Sequence, residues 1–153
     1  MKALVTAIIC SVSLFSHSAY ARLGETKEQS ETRYGKPVDP MATSRQGTEK
    51  YTYKREDISI NAEFFHDKCI QIQFSVSDRL MTPDLVKTLL DANGGEWKML
   101  SSSKDANGVV TESTYSCSGA IASAHKSHLV ISVANYEGLL MQSDKEHEKK
   151  VEK

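Results

Sequence analysis

Between Ile58 and Val76, apolar and polar residues alternate in two runs separated by His66-Asp67-Lys68. A period of two places one set of side chains on a single face of an extended chain, which predicts a β-hairpin with a core side. Ile58, Ile60, Ala62 and Phe64 share that face on the first strand, and Ile70, Ile72, Phe74 and Val76 share it on the second. Cys69, Gln71, Gln73 and Ser75 then point the other way. Phe65 breaks the phase beside the turn, which signals a bulge or an exposed aromatic.

On either side of this hairpin the pattern changes to helical spacing. Leu85, Val86, Leu89 and Leu90 form one apolar stripe. Thr82 stands at the N-cap position, Pro83 at the first helical position, and Asp84 meets the positive end of the helix dipole. Asn93-Gly94-Gly95 ends that helix. Upstream, Thr26 and Gln29 have capping-box spacing, so a short helix runs to about Tyr34, with Gly35 as its C-cap and Pro37 beyond. Leu23 and Tyr34 are its anchors, since a helix this short and polar is not stable alone. Residues 38–50 read as a loop, and Glu49–Lys54 as a strand with Tyr51 and Tyr53 on one face. Glu96–Leu100, Val109–Cys117, Ala120–Ala122 and Leu129–Val133 are further strands. Asn107-Gly108 supplies the positive φ angles that a type I′ hairpin turn requires.

The expected fold is α+β: a two-layer, twisted antiparallel sheet of about six to seven strands with two short helices on one face. Residues 22–141 form its single domain. From Gln142 onward the chain is almost wholly charged and is expected to be a solvated tail or a frayed helix, residues 142–153.

The first 21 residues change the picture from fold to location. One lysine, Lys2, precedes an apolar run from Ala3 to Phe15, and Ala19-x-Ala21 follows, which is the pattern of a cleaved secretory signal peptide. The apolar run falls short of the ~20 residues needed to cross a bilayer. Cys10 follows Ile9 instead of a small residue, so it is not a lipoprotein site. The chain is therefore expected to be periplasmic or secreted, beginning at Arg22, without a membrane span or lipid anchor. Losing Lys2 from the 19 basic residues leaves 18 against 20 acidic ones. That near-neutral balance lacks the electrostatic footprint of a nucleic-acid or anionic-membrane binder.

Cys69 and Cys117 remain after cleavage, and in an exported protein such a pair can form a disulfide; two buried thiols are the other reading. Tyr51, Tyr53, Phe65 and Trp97 exceed what the alternation assigns to one core face. They either fill the core or form a protein-binding patch. His125 and His128 are three apart, but zinc needs three or four convergent ligands, and neither CxxC nor HExxH spacing occurs. Asp91–Gly94 and Asp105–Gly108 repeat Asp-Ala-Asn-Gly without the rest of a calcium loop. Ser101-Ser102-Ser103 lacks the G-x-S-x-G elbow of a hydrolase nucleophile. No catalytic residue, cofactor or metal is expected from these patterns.

Leu23-Gly24-Glu25-Thr26, followed by Arg33-Tyr34-Gly35-Lys36-Pro37, resembles the start of small exported bacterial proteins of unknown function. Thr82-Pro83, Leu89-Leu90, Asn93-Gly94, Trp97 and the closing Leu129-x-Ile131…Tyr136 are similar to that family as well. A more distant likeness is to outer-membrane assembly lipoproteins of the SmpA/OmlA type and to β-lactamase inhibitor protein modules. The resemblance implies a helix followed by a twisted antiparallel sheet, and no catalytic residue to carry over. The expected role is an exported, non-catalytic binding or scaffold module that engages a cell-envelope protein. The alternative is a small periplasmic hydrolase or metal-dependent enzyme using His125, His128 and the acidic turns.

Overall fold

A computed structural model describes residues 22–39 and 47–151, with side chains as far as residue 145. The expected signal peptide, residues 1–21, lies outside the described residues. The elements are α1 (Lys27–Tyr34), β1 (Thr48–Arg55), β2 (Ile58–Phe65), β3 (Lys68–Val76), α2 (Pro83–Ala92), β4 (Lys98–Lys104), β5 (Val110–Cys117), β6 (Ala120–His125), β7 (His128–Val133) and α3 (Tyr136–Val151). The strands form one antiparallel sheet in the order β1-β2-β3-β7-β6-β5-β4, so the protein is α+β.

Local chemistry accounts for the first two helices. Thr26 and Gln29 bond reciprocally: the Gln29 N–H donates to Thr26 Oγ1 at 3.2 Å, and the Thr26 N–H donates to Gln29 Oε1 at 2.9 Å. At the other end Gly35, at φ +83°, donates its N–H to the Glu31 carbonyl at 2.8 Å. Thr82 caps α2 by accepting from the Leu85 N–H at 3.2 Å, with Pro83 in the first turn. The turn between β2 and β3 places His66 and Asp67 at positive φ. Asp67 also accepts from the Lys27 N–H at 3.2 Å, tying this turn to the start of α1.

Across the sheet the register aligns the core residues in rows. Tyr53, Ile60, Phe74, Leu129 and Ala124 lie in one row; Tyr51, Ala62, Ile72, Ile131, Ala122 and Tyr115 lie in the next. Val86, Leu89 and Leu90 of α2 join these residues in a single core cluster, with Leu23, Tyr34 and Trp97 packed against it. Each fully buried side chain of this size contributes ~1.5–3 kcal/mol.

One expectation is corrected. The β2–β3 register runs Ala62↔Ile72, Glu63↔Gln71, Phe64↔Cys69, which leaves Ile70 as the extra residue of a bulge. The bulge inverts the phase toward the turn. Cys69 therefore joins the core with Phe64, whereas Ile70, placed in the core by strict alternation, forms a second cluster with Phe65 and Leu140. The bulge that Phe65 signals is real, and Phe65 itself is buried. The C-terminal segment, read as a solvated tail or a frayed helix, lies in a helix that begins before it. α3 runs unbroken from Tyr136 through residue 141, where the charge pattern suggests the domain ends, and both Leu140 and Ser143 are buried. The Tyr136 hydroxyl anchors it by donating to Glu63 Oε2 at 2.7 Å.

Candidate functional site

The positions between the core rows make a second, polar set. Thr52, Asn61, Gln73, Val130, Ser123, Thr114 and Ser101 are successive register partners, forming a row that crosses all seven strands. None of the seven is buried. Directly paired residues of neighbouring strands share a face of the sheet, and six of the seven are polar. Neighbours on this face bond to one another: Thr52 to Asn61 at 2.8 Å, Gln71 to Ser132 at 3.0 Å and Gln73 to Ser75 at 3.1 Å. At the Lys50 end of the adjoining row, Glu63 is almost completely buried and pairs with Lys50 Nζ at 3.2 Å. Its Oε1 has no hydrogen-bond partner among the described residues.

His125 and His128 sit on this face at the β6–β7 turn, with rings stacked at 4.5 Å. Desolvation, and then the neighbouring His125, hold the His128 pKa below the ordinary imidazole value. His125 Nε2 lies 3.1 Å from Ser123 Oγ and 3.9 Å from Glu112 Oε1. In a catalytic triad the carboxylate orients the ring through the other nitrogen. Here both neighbours approach Nε2, so Glu112 cannot hold the ring for proton abstraction by Nε2. Among the described residues no group of three or more His, Cys, Asp or Glu converges as a metal site.

The four aromatic candidates are not brought together at the surface. Tyr53 is 0% exposed and tilts against Tyr34 at 5.4 Å; Phe65 is 7% exposed and belongs to the second cluster. Burial pushes the Tyr53 hydroxyl pKa up to about 12, and that hydroxyl has no partner among the described residues. Tyr51 is half-buried, edge-on to Phe64 at 5.8 Å. Its hydroxyl accepts from Lys27 Nζ at 2.8 Å and donates to Glu49. That bond from Tyr51 is the main cause of the lowered Glu49 pKa. Trp97 packs half-buried on the core, with its Nε1 unpartnered among the described residues. The parity of β1, which pairs Tyr51 with Ala62 and Tyr53 with Ile60, puts both tyrosines on the core side.

Cys69 and Cys117 are free thiols. Both lie on the core side, but β7 and β6 stand between β3 and β5. Three strand spacings make roughly 14 Å, well beyond the ~4.4–6.8 Å that a disulfide spans between Cα atoms. Burial pushes the Cys69 thiol pKa well up, and desolvation raises that of Cys117.

One feature escapes the sequence pattern. β4 continues past Leu100 through the three serines to Lys104, and all seven of its residues are exposed. It is an edge strand. Beside it a cleft of about 390 Å³ is lined by Val86, Leu90, Trp97, Met99 and Tyr115 together with the charged Lys87, Asp91 and Glu96. Gly95 shapes the adjoining wall: its φ is +85°, and an added Cβ would stand 3.1 Å from Cys117 Sγ. The exposed pair Met99-Leu100 is the signal that points here.

These features define an α+β protein with an antiparallel sheet, polar along one face and, among the described residues, open along one edge. No family model and no curated protein matches the chain. Among solved structures, the chain is similar to a cysteine-rich secretory protein from Staphylococcus aureus subsp. aureus Mu50, with a TM-score of 0.47 and 8% sequence identity. The match covers 74% of this chain and 44% of that protein's length. Among the described residues no helix is long and apolar enough to cross a membrane.

Proposed function

We propose that the chain is an exported, non-catalytic binding module of the cell envelope, with the polar face of its sheet turned toward a protein partner. In this reading α1 and α2 back the apolar face as one layer, the sheet forms the other, and α3 crosses only the Glu63, Phe65 and Ile70 end of the polar face. The observation that carries the reading is the row Thr52-Asn61-Gln73-Val130-Ser123-Thr114-Ser101, half-buried or exposed along its whole length. A β-sheet holds its side chains rigidly, so such a row presents amide and hydroxyl groups at little further entropic cost on binding. The resemblance to exported proteins and the leader at residues 1–21 supply the compartment.

A photo-crosslinking residue at Gln73 or Ser123, introduced in cells, tests the surface. Both positions should yield one crosslinked envelope protein, and the same residue at Glu28, exposed on α1, should not. Equal labelling from all three positions, or none from any, would remove the reading. N-terminal sequencing of the exported protein should begin at Arg22; an intact Met1 in the envelope fraction would contradict export by cleavage.

A further inference from the structure

Beyond the polar face, we propose that the outer edge of β4 receives an extended peptide from another protein as an eighth strand, an apolar segment with acidic ends. Among the described residues nothing pairs with the outer side of Lys98–Lys104, so its outward N–H and C=O groups form a template for one more strand. Apolar surface lies along it: Met99 is 59% and Leu100 63% exposed, and Val109 and Val110 are exposed at the far end of the hairpin. The Trp97–Tyr115 cleft borders Met99, on the side where alternate residues of an added strand would place their side chains.

Charge decides the occupant. Lys98 and Lys104 stand at the two ends of the strand and are both exposed. A second copy pairing antiparallel about Ser101 would set Lys98 against Lys104 of that copy, and like charges directly opposite are destabilising. A segment with acidic residues at its ends turns the same two lysines into attractive pairs. Lysines on an edge can also simply repel other strands, so the prediction is specific: acidic ends bind, basic ends do not.

The test uses the full chain and two fluorescent peptides of about ten residues, a usual strand length. Both alternate valine with threonine; one ends in glutamates and the other in lysines. The glutamate-ended peptide should bind saturably and weaken as salt rises, and the lysine-ended peptide should not bind. The double variant Lys98→Glu/Lys104→Glu should reverse that preference. Consecutive N–H groups of a strand point to opposite sides, so one of Ser101→Pro and Ser102→Pro removes an outward donor and keeps the fold. That variant should bind about tenfold more weakly. Three results would overturn the proposal: no saturable binding of either peptide by folded protein, a preference unchanged by charge reversal, or full binding by the folded proline variant. Concentration-dependent dimers with no peptide binding would assign the edge to a second copy instead. The proposal does not depend on the polar face: loss of crosslinks at Gln73 and Ser123 would leave peptide binding at β4 unaffected.

Discussion

The two edges of this sheet meet solvent differently. At β1 the preceding chain folds back: the Val38 N–H donates to the Thr52 carbonyl at 2.8 Å, and the Thr52 N–H donates to Asp39 at 3.1 Å. Tyr51 and Tyr53 further tie this strand to the core and to α1, through Lys27 and Tyr34. β4 lacks such a cover among the described residues, and its register slips twice, between Met99 and Ser101 and between Ser103 and Lys104. Both edges carry lysines, so edge charge does not distinguish them. What distinguishes them is whether a neighbouring segment satisfies the outward backbone groups.

The strongest way to break the parallel contrast between the two faces is Ile72→Asp beside Gln73→Asp. Ile72 is fully buried, and an unpaired carboxylate there costs more than a marginally stable domain can absorb, so the protein should not fold. The neighbouring change lies on the polar face and should shift stability by no more than ~0.5 kcal/mol. Circular dichroism and protease resistance compare them directly; a folded Ile72→Asp variant would show that the faces are assigned the wrong way round.

Next in size is the edge comparison itself. Val38→Pro removes the donor to Thr52 and should cost ~1–3 kcal/mol in denaturant unfolding. Proline at the outward-facing position among Ser101 and Ser102 should cost less than half of that. Equal costs would mean that the 38–39 segment does not protect β1.

A smaller effect comes from the buried tyrosines. Tyr53 rises from the ordinary 10.0 to about 12, and burial raises Tyr34 as well. The folded state thus holds its phenolic protons more tightly than the unfolded state. Stability from this source is fully present below pH 10.0 and is lost as pH climbs toward about 12. Tyr34→Phe/Tyr53→Phe should flatten that alkaline fall, and should cost little near neutrality because neither hydroxyl has a partner among the described residues. An unchanged alkaline slope would assign the loss elsewhere.

The least energetic test concerns the thiols. Mapped alkylation without reductant should label Cys117 slowly and Cys69 only after unfolding, in keeping with their different burial. A Cys69–Cys117 crosslinked peptide would contradict the strand order.

Much of this architecture could be read from local pattern. The Thr26–Gln29 box and the Thr82-Pro83 start involve neighbours in the chain, and the alternation in β2 and in β3 beyond Gln71 sets a parity that survives folding. The Asn107-Gly108 turn forms as well, but Gly108 alone has positive φ and Asp105 accepts from the Asn107 and Val109 N–H groups, so it is not the expected type I′ turn. The polar row was legible in part, through Gln71, Gln73 and Ser75; its extension across seven strands needed the register of every pair. Tertiary structure decided the rest because the deciding partners are distant. Ile70 leaves the core, and Cys69 enters it, because β2 and β3 pair with one residue to spare. Tyr136 and Leu140 begin α3 in a place set by Glu63, Phe65 and Ile70, some seventy residues away in the chain. Three serines with weak strand propensity became β4 because β5 pairs with them. Composition marked which residues were apolar; only the assembled sheet decided which of its edges and faces remained open.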